Sequence, residues 1–167
     1  VRVFDYAGNI STAADAFYVR KDTTSPNVTN LVAPQDKSFT NSANVLFDWG
    51  DSSDDLSGIL NYAVLISTAD DFSVIASSAD AQVSQFNANL ASGFYYWKVR
   101  AKDNALNYSA FASTYAVSVD TIPPTVADNQ SGDDAWRRTD PGAVYDFDFN
   151  DAGGSKLDSL QYTAWTG

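Results

Sequence analysis

The sequence contains no cysteine and no histidine. The first absence excludes a disulfide framework and a thiol nucleophile. The second removes the imidazole base, so Ser-His-Asp and Cys-His catalysis are both excluded, and with the two absences together goes the ordinary zinc site. Methionine is also absent, no charged and apolar leader is present, and Val1 stands in the middle of a strand-like pattern, so we expect a piece of a longer protein whose export signal lies outside it. No run of about 20 apolar residues occurs, and no membrane insertion is expected in this segment. Positive charge is scarce, with 10 Lys and Arg against 21 acidic residues and a formal net charge of −11. That balance argues against nucleic acid and anionic membrane surfaces, and it favours divalent cations.

What the sequence does have is core-forming material, 44% hydrophobic and 14% aromatic in 167 residues, enough for one ordinary domain or for one domain plus parts of others. It also repeats itself. Shifted by 98 residues, Val1, Arg2, Asp5, Ala7, Asn9, Ser11 and Ala14 fall on Val99, Arg100, Asp103, Ala105, Asn107, Ser109 and Ala112. In the same register Val19, Asp22, Thr23, Pro26 and Val28 fall on Val117, Asp120, Thr121, Pro124 and Val126, which makes twelve ungapped identities over 28 positions. A second alignment, offset by 100, brings Phe47-Asp48-Trp49-Gly50-Asp51 onto Phe147-Asp148-Phe149-Asn150-Asp151. A period near 100 is too long for a solenoid and fits a whole small domain. The expected organisation is therefore residues 1–22 as the last strands of one unit, 23–121 as a complete unit, and 122–167 as the first strands (A to C) of a third.

Within the complete unit the hydrophobic period is two rather than 3.6. Val45, Phe47 and Trp49 alternate with other residues, as do Tyr62, Val64 and Ile66, then Phe86, Ala88 and Leu90. Tyr95, Trp97, Val99 and Ala101 form the clearest strand, followed by Tyr115, Val117 and Val119. Turn clusters such as "GDSSDDLSG" and "DNALN" separate them, and "ADDFSVIASSAD" is the only stretch offering a helix. About seven short strands in such a unit predict an all-β, antiparallel Greek-key β-sandwich. Trp49 and Trp97 sit on the inward phase of their strands and are assigned to the core.

The run "LASGFYYWKVRAKDNALNYS" resembles the E–F corner, F strand and F–G loop of fibronectin type III-like domains, through Leu90, Gly93, Tyr95, Val99, Ala101 and Asp103. Trp49 matches their strand-B tryptophan. "DYAGNIS", "DTTSP" and "DTIPP" resemble the loop and linker phrases of bacterial tandem immunoglobulin-like surface repeats, with Leu106 standing where that loop usually has Gly. The resemblance implies that the B–C and F–G loops share the end of the sandwich at which the preceding linker arrives. That end would collect Asp22, Asp51, Asp54, Asp55, Asp103, Asn104 and Asn107. The next joint would collect Asp120, Asp148 or Asp151, and Asp158. So many carboxylates repel unless bridged, and calcium, which accepts six to eight oxygen ligands in irregular geometry, suits them. We therefore expect calcium at the joints, with Asp22, Asp51, Asp54, Asp55, Asp103, Asn107, Asp120 and Asp151 as candidate ligands. The alternative is that these residues simply make turns, because no EF-hand spacing is present.

No other constellation in the sequence points to chemistry. Asp54 and Asp55 are adjacent acids in a loop without a cleft-forming insertion, and no G-x-S-x-G or S-x-x-K occurs. The expectation is a non-catalytic spacer of a tandem-repeat extracellular or cell-surface protein, bacterial in type: a stalk, adhesin or filament. The alternative is an accessory carbohydrate-binding or linker module of a secreted polysaccharide-degrading enzyme. Expected partners are neighbouring repeats, a polysaccharide or cell-surface ligand, and copies of the chain associating through the incomplete flanks. Trp136, beside Arg137 and Arg138, is read as part of the first strand of the third unit, and Tyr96, Phe94 and Trp165 are left without a role. Sequons at Asn9, Asn27, Asn107 and Asn129 weakly support an extracellular setting.

Overall fold

A computed structural model describes residues 1–14, 18–129 and 147–161, and every regular element among them is a strand. Period-two alternation is what makes a two-sheet core: each strand turns one set of side chains inward and leaves the other outside. Residues 31–119 carry out that pattern in eight strands. Strands β3 (Leu31–Ala33), β5 (Asn44–Trp49) and β8 (Gln85–Asn89) form a three-stranded sheet in the order β3-β5-β8. The facing sheet has the order β4-β10-β9-β6-β7 and is built from β4 (Ser38–Thr40), β6 (Ile59–Ser67), β7 (Ile75–Ala81), β9 (Gly93–Asp103) and β10 (Tyr115–Val119). All pairings within these sheets are antiparallel except β10 with β4. The first strand of the unit therefore divides between the sheets, β3 lying beside β5 and β4 beside β10.

The core is the inward set predicted from the sequence. Phe47, Trp49, Val64, Ile66, Trp97, Val99 and Val117 are buried, and rings join the sheets: Phe47 meets Trp97 edge-on at 5.1 Å and Trp49 meets Tyr62 at 5.6 Å. At the corner before β9, the Tyr95 hydroxyl donates to the Ala91 carbonyl at 3.0 Å, tying the turn to the strand it introduces. The helix offered by "ADDFSVIASSAD" does not form. Residues 68–74 make a turn in which Ser67 Oγ donates to the carbonyls of Ala69 and Val74, and β7 then pairs with β6. Open ladder positions on β6 override a weak local helical pattern, because they supply hydrogen bonds and burial together.

Outside this unit, β1 (Arg2–Phe4) pairs with β2 (Ile10–Thr12), and β11 (Thr125–Asp128) pairs with β12 (Phe147–Asn150). The β1–β2 pair Phe4↔Ile10 is the counterpart, 98 residues earlier, of the bridge Lys102↔Tyr108. The β11–β12 pairing repeats the β3–β5 arrangement, and the Thr125 hydroxyl donates to the Asn150 carbonyl as Thr29 donates to Gly50. One difference stands out. Tyr18–Lys21, counterparts of Ala116–Val119 in β10, are not in a strand. Strand β10 is held by its pairing with Gly93–Trp97. Trp136, Arg137, Arg138, Tyr162 and Trp165 lie outside the described residues, and residues 151–161, on which the expected third strand of the C-terminal part would begin, form no strand.

Candidate functional site

The site begins where β9 ends. Asp103 continues the inward phase of Tyr95, Trp97, Val99 and Ala101, so its carboxylate is fully buried at the sandwich end. A buried carboxylate needs donors, and the F–G loop supplies them: the Asn107 N–H at 2.8 Å and the Asn107 side-chain amide at 2.8 Å. The Asp103 N–H donates to the Asn107 carbonyl at 3.1 Å, and the Leu106 N–H to the Asp103 carbonyl at 3.1 Å. The β1–β2 loop makes the same set from Asp5, with Asn9 N–H at 2.8 Å and the Asn9 amide at 2.6 Å.

The leucine at 106 does not break this turn. Leu106 takes φ 71° where the equivalent Gly8 takes φ 86°. A left-handed leucine costs about 1–2 kcal/mol, and its side chain is 61% exposed, so little packing offsets that cost. Leu106→Gly is expected to stabilise the protein by about 0.5–1 kcal/mol, part of the relief being cancelled by the greater freedom of an unfolded glycine. Urea midpoints at constant slope test this, and a lower midpoint would show that the leucine side chain packs.

The linker and the B–C loop complete the site. Asp54 Oδ1 accepts the N–H groups of Leu56, Ser57 and Gly58, at 3.1, 2.8 and 2.9 Å. Asp22 accepts the Thr24 N–H at 2.8 Å through one oxygen and the Ser57 N–H at 3.1 Å through the other. The Asn104 amide donates to the carbonyls of Ser57 and Gly58, fastening the F–G loop to the B–C loop. Asp22, Asp54 and Asp103 thereby bring one oxygen each to within 4.8 Å of one another. Asn107 joins them through Asp103 and reaches the Asp22 carbonyl at 3.5 Å. Asp51 and Asp55 are exposed and do not belong to this group of three.

A second joint repeats the first. Asp120 accepts the Ile122 N–H at 3.0 Å and the Ser155 N–H at 2.9 Å. Asp22 with Ser57 and Asp120 with Ser155 are thus the same contact displaced by 98 residues. Asp151, the sequence counterpart of Asp51, accepts the Gly153 N–H at 3.2 Å and the Ser155 hydroxyl at 3.1 Å, taking the turn-capping part that Asp54 plays in the first joint. A side chain at 153 would overlap the Asp120 carboxylate, so the close approach requires glycine there. Asp148 instead accepts the Asn129 amide at 3.0 Å, and Asp158 is exposed.

Hydrogen bonds set the acidity of both linker aspartates. The Ser57 hydroxyl and then the Thr24 N–H hold Asp22 below the ordinary value of 3.8, and Ser155 and then Ile122 do the same for Asp120. A lowered folded value means that the contribution to the joint is complete above about pH 4 and is lost as pH falls through the folded value. Carboxyl-carbon NMR is expected to show Asp22 and Asp120 titrating below the ordinary value of 3.8, and titration at or above it would refute the shift.

Sequence reasoning found the carboxylates but missed their donors, Ser57 and Ser155, because serine is too common in this chain to stand out. One signal was available: all 21 acidic residues are aspartate, the acid whose short side chain caps its own turn. The sequons are likewise structural, since the side-chain nitrogens of Asn9, Asn27, Asn107 and Asn129 donate to Asp5, Ser53, Asp103 and Asp148.

Sheet order, a divided first strand and the Tyr95 corner define a β-sandwich of fibronectin type III-like topology. Solved structures similar to the chain include fibronectin(III)-like modules of CbhA from Clostridium thermocellum, 17% identical with a TM-score of 0.45, covering 59% of this chain and 48% of that one. Chitinase ChiA74 from Bacillus thuringiensis is 23% identical with a TM-score of 0.47, over 67% of this chain and 16% of that one. An alpha-L-rhamnosidase from Streptomyces avermitilis is 14% identical with a TM-score of 0.39, over 57% and 10%. The matched parts span less than half the length of each of these proteins, and the strand topology rather than these values defines the fold. No protein-family model matches the sequence, and no curated protein matches it. No helix among the described residues is long and apolar enough to cross a membrane.

Proposed function

We propose that the chain is a non-catalytic spacing segment of an extracellular tandem-repeat protein, in which each incoming linker is locked to the sandwich that follows it. The observation that supports this is the repeated contact: Asp22 with Ser57 and Asp120 with Ser155, each linker carboxylate on a B–C-loop N–H, 98 residues apart. A linker carboxylate held on a B–C-loop N–H transmits orientation from one unit to the next, whereas a free linker of this length behaves as a flexible chain. On this reading residues 1–22 end one unit, 23–121 form a complete one and 122–167 begin another.

Calcium fits the first joint as a second layer of the same device. Asp22, Asp54 and Asp103 supply three carboxylates with one oxygen each within 4.8 Å of the others, separations compatible with a large oxygen-coordinated ion. Asp120 with Asp151 offer the corresponding pair at the next joint. Small-angle scattering tests both layers. The Asp22→Ala/Asp120→Ala double variant is expected to broaden the distance distribution while circular dichroism stays that of the folded sandwich; an unchanged distribution refutes the lock. Millimolar calcium is expected to narrow the wild-type distribution relative to chelator, and identical curves refute the calcium layer while leaving the lock standing.

A further inference from the structure

The chain has only ten basic residues, and three of them stand in a row. Lys98, Arg100 and Lys102 alternate with buried Trp97, Val99 and Ala101, so all three point outward from β9, about 6.8 Å apart along the strand. They are interleaved with rings. Lys98 Nζ lies 3.7 Å from the Phe72 ring centre and 4.5 Å from that of Phe111. The Arg100 guanidinium lies 4.7 Å from Phe111 and 4.0 Å from Tyr108, and Lys102 Nζ lies 5.0 Å from Tyr108. An acidic protein has thus gathered a continuous cation–aromatic ladder on one sheet face.

Two features indicate that the ladder is more than covering for the sheet. Phe72 is held at φ 61°, a region that a bulky aromatic residue avoids and that costs on the order of 1–3 kcal/mol. That backbone places the ring over the Lys98 ammonium. Arg100 Nε, in addition, is buried without a protein acceptor, so the protein itself leaves part of this guanidinium unsatisfied.

We propose that this outer face of β9 and the trough beside it bind an anionic polysaccharide. Strand β9 is hydrogen-bonded on both sides, by β6 and β10, so it offers a ligand no backbone edge, only side chains. An acidic peptide seeking β-augmentation would need such an edge. Across β6 the same face carries a trough of about 370 Å3 floored by Ala63 and Leu65 and walled by Ser78 and Asp80. Asp80 repels a polymer that is only anionic, but it accepts hydrogen bonds from hydroxyl groups. A carboxylated or sulfated glycan meets both demands, with anions on the Lys98–Arg100–Lys102 row and hydroxyls on Ser78 and Asp80. Rings at the ladder's rim, Tyr108 and the Phe94–Tyr96 pair 5.1 Å apart, add apolar faces for pyranose C–H groups. The remaining negative charge does not forbid this, because charges beyond about 10 Å are largely screened at 0.1 M salt.

Affinity electrophoresis of the full 167-residue chain provides the test, in gels cast with polygalacturonate, dextran sulfate or neutral dextran. Retardation is expected in one or both anionic gels and not in neutral dextran, with the stronger gel distinguishing carboxylate from sulfate. Lys98→Gln/Lys102→Gln is expected to weaken retardation about tenfold, two solvent-facing charges at roughly threefold each. Lys98→Arg/Lys102→Arg is expected to keep it, and circular dichroism checks that both variants fold. Retention of binding by the glutamine variant overturns the proposal. So does absence of retardation in both anionic gels, equal retardation in neutral dextran, or competition by polyglutamate as strong as that by the glycan.

Discussion

Trp97→Ala is expected to cost about 3–5 kcal/mol and to lower the melting temperature of the sandwich by more than about 12 °C. Trp97 has no exposed surface, meets Phe47 of the opposite sheet at 5.1 Å and Tyr115 of β10 at 6.1 Å, and so joins three strands. A domain of this size is stable by about 5–15 kcal/mol in total, so one such cavity removes a large share. The ring is retained for its volume and not for its polar group, since Trp97 Nε1 is buried without an acceptor. Phe94, three residues earlier on the outward phase and 46% exposed, is the internal control. Phe94→Ala is expected to cost less than about 1 kcal/mol, and differential scanning calorimetry of the two variants compares them directly. Similar losses for both would mean that the phase of β9 has been misread.

Asp103→Ala is expected to cost about 2–3 kcal/mol. The Asn107 N–H and side-chain amide would both lose a charged acceptor, each bond to a charged group contributing about 1.5–3 kcal/mol. Relief of repulsion with Asp22 and Asp54, whose nearest oxygens lie within 4.8 Å, offsets part of that loss. Asp5→Ala makes the same deletion in the same loop, but there the freed groups face water. Its cost is expected to stay below about 1 kcal/mol, since exposed groups exchange one partner for another. Urea titration gives the stabilities, and amide exchange at Asn107 locates the effect. Fast exchange at Asn107 in the wild-type protein would contradict the buried-acceptor account.

The two aspartates show how far the sequence could be read. Asp5 and Asp103 occupy corresponding positions of the repeated phrase, and the loop they cap was legible from the repeat. Their difference in burial was not, because burial depends on what packs around the loop: Asp103 closes a sandwich end, whereas the β1–β2 pair is exposed on every residue. The convergence of Asp22, Asp54 and Asp103 was also legible in outline, since the family resemblance brings linker, B–C and F–G loops to one end. Which acids would stay outside was not. Asp51 and Asp55 are also aspartates and as close in sequence, but of the B–C-loop acids it is Asp54 that the backbone N–H groups of Leu56, Ser57 and Gly58 surround. The alternation of Lys98, Arg100 and Lys102 is present in the sequence, but the rings that stack on them, Phe72, Tyr108 and Phe111, come from separate loops that meet the row only in the fold.

By itself, then, the sequence determined the class of fold, the repeat of 98 residues and the inward set of the core, because period-two alternation and turn chemistry are local properties that one strand carries alone. Tertiary structure decided the rest. It divided the first strand between two sheets, turned "ADDFSVIASSAD" into an edge strand, seated Leu106 in a glycine's conformation, and chose serine N–H groups as partners for the linker carboxylates. It also stacked rings from two separate loops onto the cations of β9. Each of these outcomes depends on which groups meet across the sandwich, where burial and hydrogen-bond satisfaction outweigh the preferences of any single segment.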